Sequence, residues 1–239
     1  MSYRKSCLLI FAVIFSCCQF SFAADELATT TPAARPDDWW QRRHEKINDR
    51  AKQGDVDLLF IGDSITQGWE GQPGNAIWQK FYGARKAMNA GISGDRTQHV
   101  LWRLDNGNIE GIKPKLAVVM IGTNNSGSDT PEDIAAGITA IVKKLREKLP
   151  KTKILLLGIF PRGANSEAPQ RKVNQATNAI IKSLDDGKAV YYVDIAESFL
   201  DDDGKLAQQI MPDLLHLSNR GYEIWGESIE PKVAELMGE

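Results

Sequence analysis

A chain of 239 residues that is 42% hydrophobic and 25% charged sits near the average of soluble globular proteins, which excludes collagen-like, disordered and multi-span membrane chains. Its net charge of −2, from 29 Lys+Arg against 31 Asp+Glu, leaves no basic excess to attract a nucleic-acid backbone. The length suits one domain with enough core to fold without staples.

Residues 1–23 read as a signal peptide. Arg4 and Lys5 form a positive start, Cys7–Phe15 is an apolar run too short for a permanent span, and Ser21-Phe22-Ala23 places cleavage before Ala24. Phe15 and Phe20 fit poorly the pattern of a lipid-anchored cysteine at Cys17 or Cys18. The protein is therefore expected to be secreted or periplasmic. All three cysteines lie in the signal, so the chain beyond it offers no disulfide, thiol nucleophile or thiolate metal site. Residues 24–36, rich in Thr, Ala and Pro, read as a flexible leader, and 37–239 as one domain.

Asp37 or Asp38 can cap a helix running to about Gln53, closed by Gly54. Leu58–Ile61 has the length of a strand, and Lys86–Asn89 is a weaker second one. Thr97–Asn106 is a candidate helix. Leu116–Ile121 and Ile154–Gly158 are unbroken apolar runs, as in strands buried on both faces, and Val190–Asp194 is a fifth strand. Thr130 caps a helix with Pro131 first and an apolar face of Ile134, Ile138, Ile141, Val142, Leu145 and Leu149. Gln170–Leu184 and Asn219–Leu236 are the remaining helices, the last capped by Ser218. Strands alternating with helices imply parallel pairing through right-handed crossovers. The fold class is thus α/β, a three-layer α/β/α sandwich with about five parallel strands. Ligands bind such sheets at the carboxyl ends of the strands, so site residues should follow strands in sequence.

Gly62-Asp63-Ser64 follows the first strand. The triplet alone is equally a strand-end turn in which Ser64 caps a helix. After the second strand, Gly91-Ile92-Ser93-Gly94 lets the backbone come close and turn an N–H into a site. After the third, Gly122-Thr123-Asn124 offers a side-chain amide as donor, or merely a local turn bond. Histidines beyond the signal are only His44, His99 and His216. The first two fall in helices, and His99 beside Val100 and Leu101 reads as structural. His216 lies in a loop three residues after Asp213. There Asp213 can accept from one ring nitrogen while the other faces outward.

A serine hydroxyl needs a base, and that base needs an orienting partner. Ser64, His216 and Asp213 can fill these roles. The N–H groups of Ser64 and Gly94 and the Asn124 amide can supply donors to a developing oxyanion. The order Ser…Asp…His with the last two only three positions apart is unlike the Gly-x-Ser-x-Gly hydrolases.

These four blocks resemble the SGNH-hydrolase (GDSL-esterase) superfamily. The stretches Gly94–Leu104, Ile112–Lys115, Gly122–Asn125, Leu157–Gly163, Lys172–Asn174 and Asp213–Leu217 are similar, within it, to the catalytic subunits of intracellular platelet-activating-factor acetylhydrolases. The resemblance runs from about Asp55 to Leu236. It implies the flavodoxin-like SGNH-hydrolase fold and a serine esterase with Ser64, Asp213 and His216 as triad. It also implies an oxyanion hole of Ser64, Gly94 and Asn124, and an acyl pocket walled by Ile65, Thr123 and Leu215 that favours acetyl. Ser93 stands where relatives often carry a second glycine. A signal peptide is absent from the intracellular relatives, so their lipid substrate and regulatory partner are not carried over. Exported bacterial relatives often deacetylate carbohydrates. The intracellular relatives dimerise, which makes a homodimer the candidate oligomer.

Trp69, Trp78 and Tyr82 suit either a sugar-stacking platform or aromatic packing, with packing favoured; Trp39 and Trp40 are read as packing the first helix on the domain. Asp201-Asp202-Asp203-Gly204 lacks the spacing of a calcium loop and reads as a solvated turn. No metal or other cofactor is expected. The expectation is an exported, cofactor-independent esterase that hydrolyses acetyl esters of a small molecule or glycan, with no nucleic-acid partner. A lysophospholipase or thioesterase with longer acyl preference and a non-catalytic glycan-binding module are the rivals.

Overall fold

The computed structural model describes residues 27–239; the expected signal peptide 1–23 and residues 24–26 lie outside them. Five apolar runs form one sheet: β1 (Leu58–Gly62), β2 (Ala87–Gly91), β3 (Leu116–Met120), β4 (Lys153–Leu157) and β5 (Val190–Val193). They pair in the order β2-β1-β3-β4-β5, every pair parallel. In β1, Leu59 and Ile61 enter one core while Leu58 and Phe60 enter the other. Both faces are covered, which is why no polar residue interrupts the run.

Helices α1 (Asp38–Lys52), α4 (Thr97–Asp105), α5 (Pro131–Lys148) and α6 (Pro169–Ile181) close the first face, burying Ile47, Leu101, Ile138 and Ile181. Helices α3 (Gln72–Tyr82) and α7 (Asn219–Met237) close the second with Tyr82 and Trp225. The short α2 (Ser64–Gln67) follows β1. The result is the expected three-layer sandwich. No helix among the described residues is long and apolar enough to cross a membrane.

Two helix starts follow the sequence reading: Thr130 accepts the Asp133 N–H and Ser218 accepts that of Gly221. Asp37 stands at the start of α1 but caps nothing with its side chain; its carboxylate pairs with Arg35 at 3.3 Å instead. Helix α3 has no counterpart in the sequence reading. Gly71, Pro73 and Gly74 make its start look like loop, yet the segment closes because its aromatic side chains have a core to enter. Trp69 and Tyr82 are fully buried and pack with Phe60, Trp78 and Trp225 at ring separations of 4.8 to 6.4 Å. Packing thus accounts for this cluster, and tertiary contacts outweigh local propensity.

Residues 27–36 also depart from the expectation of a free leader. Thr29 is buried, its carbonyl accepts from Thr97 Oγ1 at 2.9 Å, and the Ala33 N–H donates to the Gln98 carbonyl at 3.1 Å. Composition alone registers few apolar residues here; it cannot register backbone hydrogen bonds to α4.

The strand register sets out the site. Gly62 lies level with Gly91 on one side and Met120 on the other. The chain therefore leaves β1, β2 and β3 at one edge. Strand order reverses between β1 and β3, the place where a crevice opens in sheets of this kind.

Candidate active site

Gly62 has no room for a side chain: a Cβ would lie 2.1 Å from Thr66 Oγ1 and 2.4 Å from the Met120 carbonyl. This close approach lets α2 start immediately after β1. Its cap is Asp63, whose Oδ1 accepts the Ile65 N–H at 3.0 Å. Ser64 is thus not the cap. Its Oγ is 2.9 Å from His216 Nε2, and His216 Nδ1 is 2.6 Å from Asp213 Oδ2.

The histidine loop is built around Asp213. Its Oδ1 accepts the N–H groups of Leu215 and His216 at 3.1 and 2.7 Å, a side-chain turn that fixes the carboxylate against the ring it orients. Leu214 pays for the tight turn with φ of +60°, a conformation that is strained for a branched residue. Burial alone would raise the Asp213 carboxyl; the hydrogen bonds from His216 outweigh it and hold it below its usual value.

The Gly94 loop lies against the serine helix. Gln67 Oε1 accepts the Ser93 N–H at 2.7 Å, and Gly94 has φ of +74°. The Asn124 amide donates one hydrogen to the Asp95 carbonyl at 2.9 Å, leaving the second free for a ligand. Asp95 is itself buried, bonded to Trp40 Nε1 at 2.6 Å and to Arg103 Nε at 2.7 Å. Arg103, also buried, donates to the carbonyls of Ala90 and Gly62. One ion pair therefore ties the ends of β1 and β2 to the Gly94 loop.

Of the expected acyl-pocket residues, Ile65 and Thr123 are buried and Leu215 is half-buried. The Ile65 carbonyl accepts from Tyr222 Oη at 2.7 Å. Arg162 Nη1 donates to the Thr123 carbonyl at 2.9 Å and to its hydroxyl at 3.3 Å. The loop after β4 that carries Arg162 is joined to the histidine loop, because the Gly163 N–H donates to the Leu214 carbonyl at 2.9 Å.

Four groups escaped the sequence reading. Asp63 is completely buried and its Oδ2 has no protein partner. Burial pushes its carboxyl up to about 7; the Ile65 N–H opposes this, the Asp95 charge adds to it, and His216 opposes it. Arg162 follows a strand and could have been found by the strand-end rule. Gln67 and Arg35, which donates to the Ser93 carbonyl at 2.9 Å, carry no local signal. The other histidines lie elsewhere. His44 stacks on Trp40 and bonds Asn48 and Asn108, and His99 Nδ1 accepts the Arg96 N–H. Burial takes both down to about 4, nearby arginine charges adding to the effect. A cavity of about 680 Å³ lies at the opposite end of the sheet, between the loops that enter β3 and β4, and includes none of these residues.

A hydroxyl, an imidazole and a carboxylate in line at the carboxyl edge of a parallel sheet, with backbone and amide donors beside them, are the equipment of a serine hydrolase. Comparison with known proteins defines the family. The chain belongs to the GDSL-like lipase/acylhydrolase family, whose model matches residues 60–224, and is an ester-hydrolysing enzyme. It is 37% identical over 219 residues to platelet-activating factor acetylhydrolase IB subunit alpha2 of Rattus norvegicus, covering 88% of this chain and 93% of that one. With subunit alpha1 of Homo sapiens it shares 36% over 200 residues, 80% of this chain and 84% of the relative. The fold also superposes on Axe2, an acetylxylan esterase from Geobacillus stearothermophilus, with a TM-score of 0.60, 22% identity and coverage of 76% and 94%.

Proposed function

We propose that the protein is an exported serine esterase that removes acetyl groups from oxygen esters, most readily those of a carbohydrate. The observation that carries the catalytic part is the continuous hydrogen-bonded path from Ser64 Oγ through His216 to Asp213. In this reading Ser64 Oγ attacks the acetyl carbon as His216 Nε2 takes its proton. Asp213 holds the ring by its other nitrogen and stabilises the imidazolium. The N–H groups of Ser64 and Gly94 and the free Asn124 hydrogen receive the oxyanion. His216 returns the proton to the leaving alcohol, and the same ring then activates water to release acetate from Ser64.

Acetyl preference is supported by the acyl side. Ile65 and Thr123 are buried, the Ile65 carbonyl accepts from Tyr222 Oη, Arg162 donates to the Thr123 carbonyl and hydroxyl, and the Leu215 N–H donates to Asp213, so the backbone of the expected acyl wall is held in place. The carbohydrate reading is supported by the signal-like residues 1–23 and by the acetylxylan esterase that shares the fold. A homodimer is the oligomer we expect.

Hydrolysis of p-nitrophenyl acetate, butyrate and octanoate, beside Ser64→Ala, tests the proposal. Acetate cleaved fastest, with the substitution abolishing it, is the expected result, and acetylated xylan should then release acetate. Octanoate cleaved fastest would replace the acetyl pocket with a lipase-like one. Activity that survives Ser64→Ala would remove the nucleophile.

A further inference from the structure

The oxyanion donor assigned to Gly94 belongs to the peptide unit that begins with the Ser93 carbonyl. In a planar trans peptide the C=O and N–H point in opposite directions, so whatever fixes one aims the other. Arg35 Nη1 donates to that carbonyl at 2.9 Å. A Cβ built on Gly94 would fall 2.8 Å from the same nitrogen, so the guanidinium lies directly against the loop at the one residue whose φ of +74° favours glycine.

The arginine is itself held. It pairs with Asp37 at 3.3 Å and lies over the Trp39 ring, 4.9 Å from the centroid. Its own carbonyl accepts from Gln41 Nε2 at 2.7 Å, and its side chain is only 20% exposed. The segment that carries it is fastened to α4 through Thr29 and Ala33.

We infer that Arg35 is a positioning residue of the oxyanion hole. It clamps the Ser93 carbonyl so that the Gly94 N–H points at the developing charge. A charge-assisted bond to the carbonyl also polarises the peptide and strengthens its N–H as a donor. Arg35, which precedes the 60–224 family match, thereby serves the site through the Ser93–Gly94 peptide. This inference rests on the reading of Gly94 as an oxyanion donor.

The test compares Arg35→Ala, Arg35→Lys and Thr97→Val in hydrolysis of p-nitrophenyl acetate. Thr97→Val removes the hydroxyl that fastens the segment at Thr29 and leaves the arginine in place. Loss of a whole oxyanion donor commonly costs roughly 10²–10³ in turnover, and a donor left in place but poorly aimed should cost less. Arg35→Ala is expected to lower kcat by roughly 10- to 100-fold with KM within about twofold. Arg35→Lys should be intermediate, added guanidinium should recover part of the Arg35→Ala loss, and Thr97→Val should keep kcat. The Gly94 amide resonance should shift in Arg35→Ala, reporting the lost bond to its peptide.

An unchanged kcat in Arg35→Ala overturns the inference. So does a loss that Thr97→Val reproduces and guanidinium does not relieve, since the arginine would then be a fastener of the segment alone. Ser64→Ala in the same assay separates the two levels. If it is inactive while Arg35→Ala is not impaired, only the clamp fails; if it remains active, the catalytic reading fails and the clamp with it.

Discussion

Asp63 offers the sharpest prediction about stability, because this residue beside Ser64 is a carboxyl with no exposure at all. Its carboxyl is raised from an ordinary 3.8 to about 7, chiefly by burial. The folded state therefore holds this proton more tightly than the unfolded chain does. The stabilisation is full below 3.8 and is lost as the pH rises through about 7. At about 1.36 kcal/mol per pH unit the loss approaches about 4 kcal/mol, an upper figure. Asp63→Asn replaces the carboxylic acid by a neutral group of the same shape that keeps an acceptor for the Ile65 N–H. Any fixed offset it brings is the same at every pH, and the titrations of His44 and His99 are common to both proteins and cancel. Thermal melts of the two proteins from about pH 4 to about pH 8 should thus diverge, with the substituted protein gaining on the original as pH rises. The divergence should reach on the order of 10 °C, from about 2–4 °C per kcal/mol for a chain of this size. Two melting curves that keep a constant separation across that range would refute the reasoning, since Asp63 would then be ionised in the fold with a partner not accounted for.

Further outcomes follow from the same contacts. Asn124→Ala should lower kcat for p-nitrophenyl acetate by roughly 10²–10³ while KM barely moves, as expected for a donor used mainly in the transition state. Arg103→Met strands the buried Asp95 carboxylate and should cost about 3–5 kcal/mol in urea unfolding, with Asp95→Asn in the same chain recovering part of it. Arg162→Ala frees Thr123 and should narrow the preference for acetate over butyrate by roughly tenfold, about what one methylene commands in a closed pocket; equal ratios in the two proteins would show that Thr123 does not need its arginine.

Much of this architecture was legible in the sequence because its signals are local. Unbroken apolar runs marked β1, β3 and β4, whose side chains serve two cores at once. Thr130 with Pro131 and Ser218 marked helix starts that depend on neighbours three residues away. Scarcity isolated His216, and the rule that ligands meet parallel strands at their carboxyl ends gathered Ser64, Gly94 and Asn124. What escaped depends on distance along the chain. Arg35 meets Ser93 across 58 residues and Arg162 meets Thr123 across 39, and no spacing within a strand or helix encodes such meetings. Helix α3 escaped for the opposite reason: its glycines and proline speak locally for a loop, and only the aromatic core formed with Phe60 and Trp225 overrides them. Asp63 was hidden by its neighbour, since the serine that looked like the cap meets His216 instead and the aspartate does the capping.

The central claim is that Ser64 is the nucleophile, and a fluorophosphonate that reacts only with activated serines addresses it most directly. Labelling to completion, followed by peptide mass spectrometry and assay of the same sample on p-nitrophenyl acetate, should give one adduct, on Ser64, with activity falling in step. An adduct on another residue that silences the enzyme, or full activity with Ser64 blocked, would contradict the account.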